Sequence, residues 1–257
     1  MKQALLLVSF GTSVPHARES IDAVEQAMCR TAPDWTFCRA FTSPTIRRIL
    51  KQRGETVLSL EEALDGLASR GYQTVAVQPT HLLCGIEYDK ICRIAAEKRE
   101  LFDSLLVGEP LLSDTASLLY IARLLSDRYP AEHQRAVVFM GHGTAHFSNM
   151  VYPALQTAFS LLGRPDMLVG TVEGWPELTD IRKRLCERDV HSVTLVPLML
   201  VAGDHAVNDM AGDQPDSWKS RLEQDGIAVH CVLSGLGTLP GIQSLYCDHL
   251  KTLLNLE

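Results

Sequence analysis

The sequence predicts an α/β protein made of two similar lobes, each a parallel sheet flanked by helices, with a site in the cleft between them. Three observations carry this. Short apolar runs alternate with amphipathic stretches along all 257 residues. The runs are almost continuously apolar, as in VTLVPL at 193–198, which marks strands buried on both faces and therefore parallel sheets covered by helices. The chain also repeats itself. ALLLVSFGT at 4–12 resembles AVVFMGHGT at 136–144, an offset of 132, and VAVQPTHLLCG at 75–85 resembles VTLVPLMLVAG at 193–203, an offset of 118. Between them, AFTS at 40–43 falls opposite TVEG at 171–174. The matches keep their order, and the first two share Gly or Pro placement, so duplication explains them better than the general likeness of βα units.

Strands are expected at 3–9, 36–42, 73–79, 104–108, 135–141, 167–172, 192–198 and 228–233. Helices fit 15–31, 44–53, 59–70, 86–100, 113–129, 148–162, 176–188, 216–225 and 239–255. In 59–70, Leu60, Ala63, Leu64 and Leu67 line one face, while Glu61, Glu62 and Asp65 fall outside it. Pro130 and its polar neighbours suit a linker, which divides the chain into lobes 1–128 and 129–257. The last helix is placed to cross back onto the first lobe.

Composition removes several function classes. Lys and Arg number 24 against 31 Asp and Glu, a net charge of −7, which argues against binding to nucleic-acid phosphates. No apolar run approaches the roughly 20 residues of a membrane span. The opening residues look slightly like a signal peptide, but the apolar core at 4–8 runs into a Gly turn rather than a cleavage site, so it reads as a first buried strand. The seven cysteines form no CxxC pair, which fits reduced thiols in a cytoplasmic protein. GxxxxGK[ST], GxGxxG and GxSxG are all absent, so nothing calls for ATP, NAD or a serine hydrolase mechanism.

In parallel α/β sheets, ligands bind at the carboxyl ends of strands. Three such ends in the second half carry His142 (in MGHGT), Glu173 (in TVEGW) and His205 (in VAGDH). Each residue alone is an ordinary loop residue. At three successive strand ends together, two imidazoles and a carboxylate suit a borderline divalent ion such as Co²⁺, Ni²⁺, Zn²⁺ or Fe²⁺, with coordination positions left open. Asp204 is expected to orient an imidazole, and His146 is a weaker candidate. In the repeat, Phe10, Thr42 and Glu87 stand opposite the triad and His81 stands opposite Met199, so one working site per chain is expected.

These residues also carry a family resemblance. FMGHG at 139–143, Val172-Glu173 with Pro176-Glu177, DSWK at 216–219 and above all PLMLVAGDHAVNDM at 197–210 resemble the anaerobic CbiK-type sirohydrochlorin cobaltochelatases, class II chelatases. So do LVSFGTS at 7–13, RAFTS at 39–43 and SGLG at 234–237, and the match covers essentially the whole chain. The resemblance implies ATP-independent insertion of Co²⁺ into sirohydrochlorin on the anaerobic route to cobalamin. It implies no cofactor beyond the substrate metal, with Fe²⁺ or Ni²⁺ as further substrates in vitro. It places the metal ligands on His142, Glu173 and His205 and the proton acceptor on His142. Phe10, Ser13, His81, Glu87 and Met199 are the candidates for the substrate wall. Lys90, Arg93 and Lys219 are candidate partners for the substrate carboxylates. The implied partners are sirohydrochlorin and a divalent metal, without nucleic acid or membrane, and homo-oligomerisation is left open. A sirohydrochlorin ferrochelatase and a non-catalytic metal or tetrapyrrole carrier are the alternatives.

Overall fold

The computed structural model describes residues 2–256. All eight expected strands and nine expected helices are present among them, with ends shifted by a few residues. In order they are β1 (Gln3–Ser9), α1 (Arg18–Thr31), β2 (Thr36–Phe41), α2 (Pro44–Gln52), α3 (Leu60–Ser69), β3 (Thr74–Pro79), α4 (Ile86–Glu97), β4 (Ser104–Val107), α5 (Thr115–Arg128), β5 (Arg135–Gly141), α6 (Val151–Leu161), β6 (Met167–Thr171), α7 (Leu178–Glu187), β7 (Ser192–Pro197), α8 (Trp218–Gln224), β8 (Ala228–Cys231) and α9 (Pro240–Leu254). The opening segment is β1, buried from Ala4 onward.

The strands form two four-stranded parallel sheets, ordered β2-β1-β3-β4 and β6-β5-β7-β8. The second order is the first advanced by four strands, the topological form of the repeat. Each central strand is buried nearly end to end, so its apolar run has no polar face to alternate with. In the first sheet Leu6 and Val8 pack with Leu64, Leu67, Val77 and Ile91; in the second Val138 and Met140 pack with Leu168, Ile181, Leu195 and Leu222. Helix starts follow local chemistry. Ser59 and Glu62 form a reciprocal capping box at α3, and Asp114 accepts from the Ser117 backbone N–H at α5, 2.7 Å.

The chain divides into two compact units, but not at the expected 128/129 boundary. One unit runs to Ser113 and resumes at Gly237; the other is Asp114–Leu236. Helix α5 therefore belongs with the second sheet, where it packs on α6, and α9 returns to the first, where it packs on α1. Tyr246 on α9, fully buried, donates its hydroxyl to the Thr80 carbonyl at 2.6 Å. Pro130 lies inside the second unit, and the chain crosses between units before α5, at Ser113-Asp114, where the sequence shows a helix cap rather than a break. All seven cysteines are free, and no helix among the described residues is long and apolar enough to cross a membrane.

Candidate metal centre

Strand β5 ends at Gly141, and His142 follows. The two glycines beside it do different work. Gly143 has φ +84°, the left-handed region open to glycine, and a Cβ there would sit 2.5 Å from the Gly174 backbone nitrogen. Gly141 keeps ordinary strand geometry and is needed for space, because a Cβ would lie 2.2 Å from the buried Tyr152 ring. Gly143 therefore turns the chain, and Gly141 admits Tyr152. The Tyr152 hydroxyl in turn accepts from the Gly143 N–H at 3.2 Å.

The segment after β6 is tied directly to this turn. The Glu173 N–H donates to the His142 carbonyl at 2.7 Å, and the Val172 N–H to the Gly141 carbonyl at 3.1 Å. Asn149 completes the clasp from the loop before α6. Its Oδ1 accepts from the Thr144 N–H at 3.1 Å, and its Nδ2 donates to the Trp175 carbonyl at 2.6 Å. The sequence reading passed over Asn149, whose partners lie up to 26 residues away.

His205 sits at the start of a helical turn that continues as a π-helical segment, Ala206–Met210. Asp209, four residues on, accepts from His205 Nδ1 at 2.6 Å. Asp204, expected to orient an imidazole, instead accepts from the Asn208 amide at 2.8 Å. The correction follows from helical spacing, which stacks i on i+4 and turns adjacent residues apart. A helical reading of GDHAVNDM would have found Asp209.

His142, Glu173 and His205 converge, each offering a ligand atom within 4.8 Å of the others. The two imidazoles meet edge to face, with ring centroids 4.6 Å apart at 86°. His142 Nδ1 lies 3.9 Å from Glu173 Oε2 and donates to the Gly143 carbonyl at 2.9 Å. A carbonyl and a carboxylate can only accept, so both neutral rings carry their proton on Nδ1 and keep the Nε2 lone pair. A tetrahedral ion with bonds of about 2.1 Å needs ligand atoms about 3.4 Å apart, so side-chain rotation closes the set. The donor set suits a borderline divalent ion with open positions.

Beside the triad lies a cavity of about 670 Å³, lined by residues that include His146, Phe147, Met150, Glu173, Trp175 and Glu177. Of its apolar lining, Phe147 is 84% exposed and Trp175 54%. The substrate-wall candidates are divided between the units. Met199 is partly buried against the core of the second. In the first, Phe10 follows β1 and is half exposed, and the Ser13 carbonyl accepts from Arg53 Nη1 at 2.5 Å. Glu87 lies in the first turn of α4, with one carboxylate oxygen buried and lacking a hydrogen-bond partner. Among the candidate cations, Lys219 pairs with Asp213 and Arg93 with Glu97, each at 2.8 Å.

His81 differs from the triad histidines. Both ring nitrogens are buried without a partner, and burial pushes its pKa from 6.5 down to about 4, with nearby Glu87 pulling the other way. The folded state thus resists a proton that the unfolded chain accepts. Stability from this group is intact above about pH 6.5 and is lost as pH falls toward 4, by about 3 kcal/mol in full. Urea unfolding at pH 7 and pH 4.5 should show a larger loss for the wild type than for His81→Leu; equal losses would exclude the effect.

A profile of the cobalt chelatase (CbiK) family matches residues 3–255. The chain belongs to that family. A sirohydrochlorin cobaltochelatase of Salmonella typhimurium is 43% identical over 259 residues, covering 100% of this chain and 98% of its relative. The sirohydrochlorin cobaltochelatase CbiKC of Nitratidesulfovibrio vulgaris is 34% identical, covering 97% and 89%. Among solved structures, SirB from Bacillus subtilis with Fe³⁺ superposes with a TM-score of 0.66 at 16% identity, covering 99% and 97%. That likeness shows that the two chains share a fold, and the CbiK membership rests on sequence.

Proposed function

We propose that this CbiK-family chain is a sirohydrochlorin cobaltochelatase that inserts Co²⁺ without ATP and releases two protons, serving anaerobic cobalamin synthesis. The observation that carries the reading is the converged triad, two imidazoles and a carboxylate whose ligand atoms lie within 4.8 Å of one another. His142, Glu173 and His205 are the proposed metal ligands. The metal is substrate, and the reaction needs no other cofactor. The free thiols fit a cytoplasmic setting.

The chemistry follows from proton counting. Insertion exchanges two pyrrole N–H protons for one M²⁺, so the overall charge balances only if two protons leave. Nε2 of His142 cannot hold a proton and an ion together. The ion therefore occupies the triad first, and as it passes to the pyrrole nitrogens the vacated imidazole accepts one proton while solvent takes the other. Glu173 favours both the bound cation and the imidazolium that follows. Acidification should weaken Co²⁺ loading, because a protonated imidazole has no lone pair to give. Calorimetric titration across pH checks this, and pH-independent affinity would rule out imidazole ligands.

The test of the function is a matrix of initial rates, Co²⁺, Fe²⁺ and Ni²⁺ against sirohydrochlorin, followed by absorbance. A cobaltochelatase gives many metallated rings per chain and favours Co²⁺. A carrier gives at most one ring per chain, and a ferrochelatase favours Fe²⁺; either result would overturn the proposal.

A further inference from the structure

The two imidazoles of the triad are held in unlike ways. His142 Nδ1 donates to a neutral backbone carbonyl one residue away, while His205 Nδ1 donates to a carboxylate on its own helical turn. The second bond is short, 2.6 Å, as expected when the acceptor is ionised. Asp209 and His205 are i+4 neighbours, and the turn that aligns them is anchored by Ala206 and Met210, both fully buried in the second core. Asp209 is half exposed, so its carboxylate can take this role without burial of an uncompensated charge. The neighbouring Asn208–Asp204 contact runs parallel to it at the same spacing and keeps Asp204 away from the imidazole.

We propose that Asp209 is a positioning residue for metal capture. Its carboxylate holds the His205 ring as the Nδ1–H tautomer and fixes its orientation, so that Nε2 is always the atom offered to the ion. A free imidazole exchanges between two tautomers and rotates about its side-chain bonds, so without Asp209 only a fraction of molecules present the lone pair correctly. Carboxylate partners of metal-binding histidines typically contribute 10–100-fold in metal affinity. The inference rests on the metal-site reading above and adds a division of labour: Asp209 acts on loading, not on proton transfer, since its carboxylate is engaged by His205 Nδ1.

The test uses the full chain in two assays. In the first, ¹⁵N-histidine NMR of the metal-free protein reads the tautomer, and Co²⁺ titration reads affinity; neither needs turnover. The wild type should show His205 as Nδ1–H. Asp209→Ala should show mixed tautomers and Co²⁺ affinity lower by about 10–100-fold. Asp209→Asn keeps an acceptor oxygen and should fall between them, which also covers the case in which the alanine variant perturbs the turn. In the second, kinetics should show the same rise in KM for Co²⁺ with kcat at saturating metal little changed. Wild-type tautomer and affinity in Asp209→Ala would overturn the proposal, as would a fall in kcat with KM unchanged. Absence of turnover in the wild type would instead strike the chelatase reading, and the tautomer and affinity assay would still decide the role of Asp209.

Discussion

His142→Ala is expected to lower the turnover of Co²⁺ into sirohydrochlorin by about 10²–10⁴-fold, the usual range for loss of a positioned acid–base group, and added metal should not restore it. His142 sits at the tip of the β5 turn, half exposed, with its Nδ1 bonded to the Gly143 carbonyl. It therefore serves both as ligand and as acceptor, and extra Co²⁺ replaces only the first role. His205→Ala should behave differently. Its ring is bound back to Asp209 and acts as a ligand, so the metal requirement should rise while some rate persists at high Co²⁺. Glu173→Gln keeps shape and removes charge, so it should raise the metal requirement and lower the maximal rate together. Initial rate against Co²⁺ for each variant, at fixed sirohydrochlorin and mildly alkaline pH, separates the three. Near wild-type rate for His142→Ala at high metal would make His142 a ligand alone.

Gly143→Val should be the most damaging substitution for the architecture of the site. The residue has φ +84°, which disfavours any side chain by about 1–2 kcal/mol, and a Cβ would meet Gly174 N at 2.5 Å and the Glu173 carbonyl carbon at 2.8 Å. Both are backbone atoms that cannot rotate away. With overpacking of about 1–3 kcal/mol added, the expected destabilisation is about 2–5 kcal/mol. The same displacement pulls Glu173 from His142, so Co²⁺ affinity should fall even in molecules that remain folded. Denaturant unfolding and metal titration check the two effects separately. Gly163→Ala is the contrast: its φ of +72° is similar, but a Cβ there would meet nothing within 4 Å, so only the backbone penalty applies.

Legibility in the sequence followed the range of the interactions. The central β-strands showed because burial on both faces writes apolar runs, and the helices because one apolar stripe repeats every turn. His142 and Glu173 showed because β5 and β6 are parallel neighbours, in register from Val137↔Met167 to Gly141↔Thr171, so their following residues must emerge side by side. Asn149 did not show, because a clasp between two loops leaves no periodicity. Asp209 did not show because residues 203–215 carry Gly203 and Gly212 and read as loop, hiding the helical turn that aligns Asp209 with His205. Glu25 is a further case: it is buried on α1 and neutralised by Arg39 on β2, a pairing that no local pattern announces. The assignment of α5 and α9 was set by packing partners, not by the proline that suggested a boundary.

The most direct measurement is anomalous X-ray diffraction at the cobalt edge from crystals soaked in Co²⁺. A single ion is expected in contact with Nε2 of His142, a carboxylate oxygen of Glu173 and Nε2 of His205, at about 2.0–2.2 Å. An ion held by cysteines, with no density at these three residues, would contradict the account.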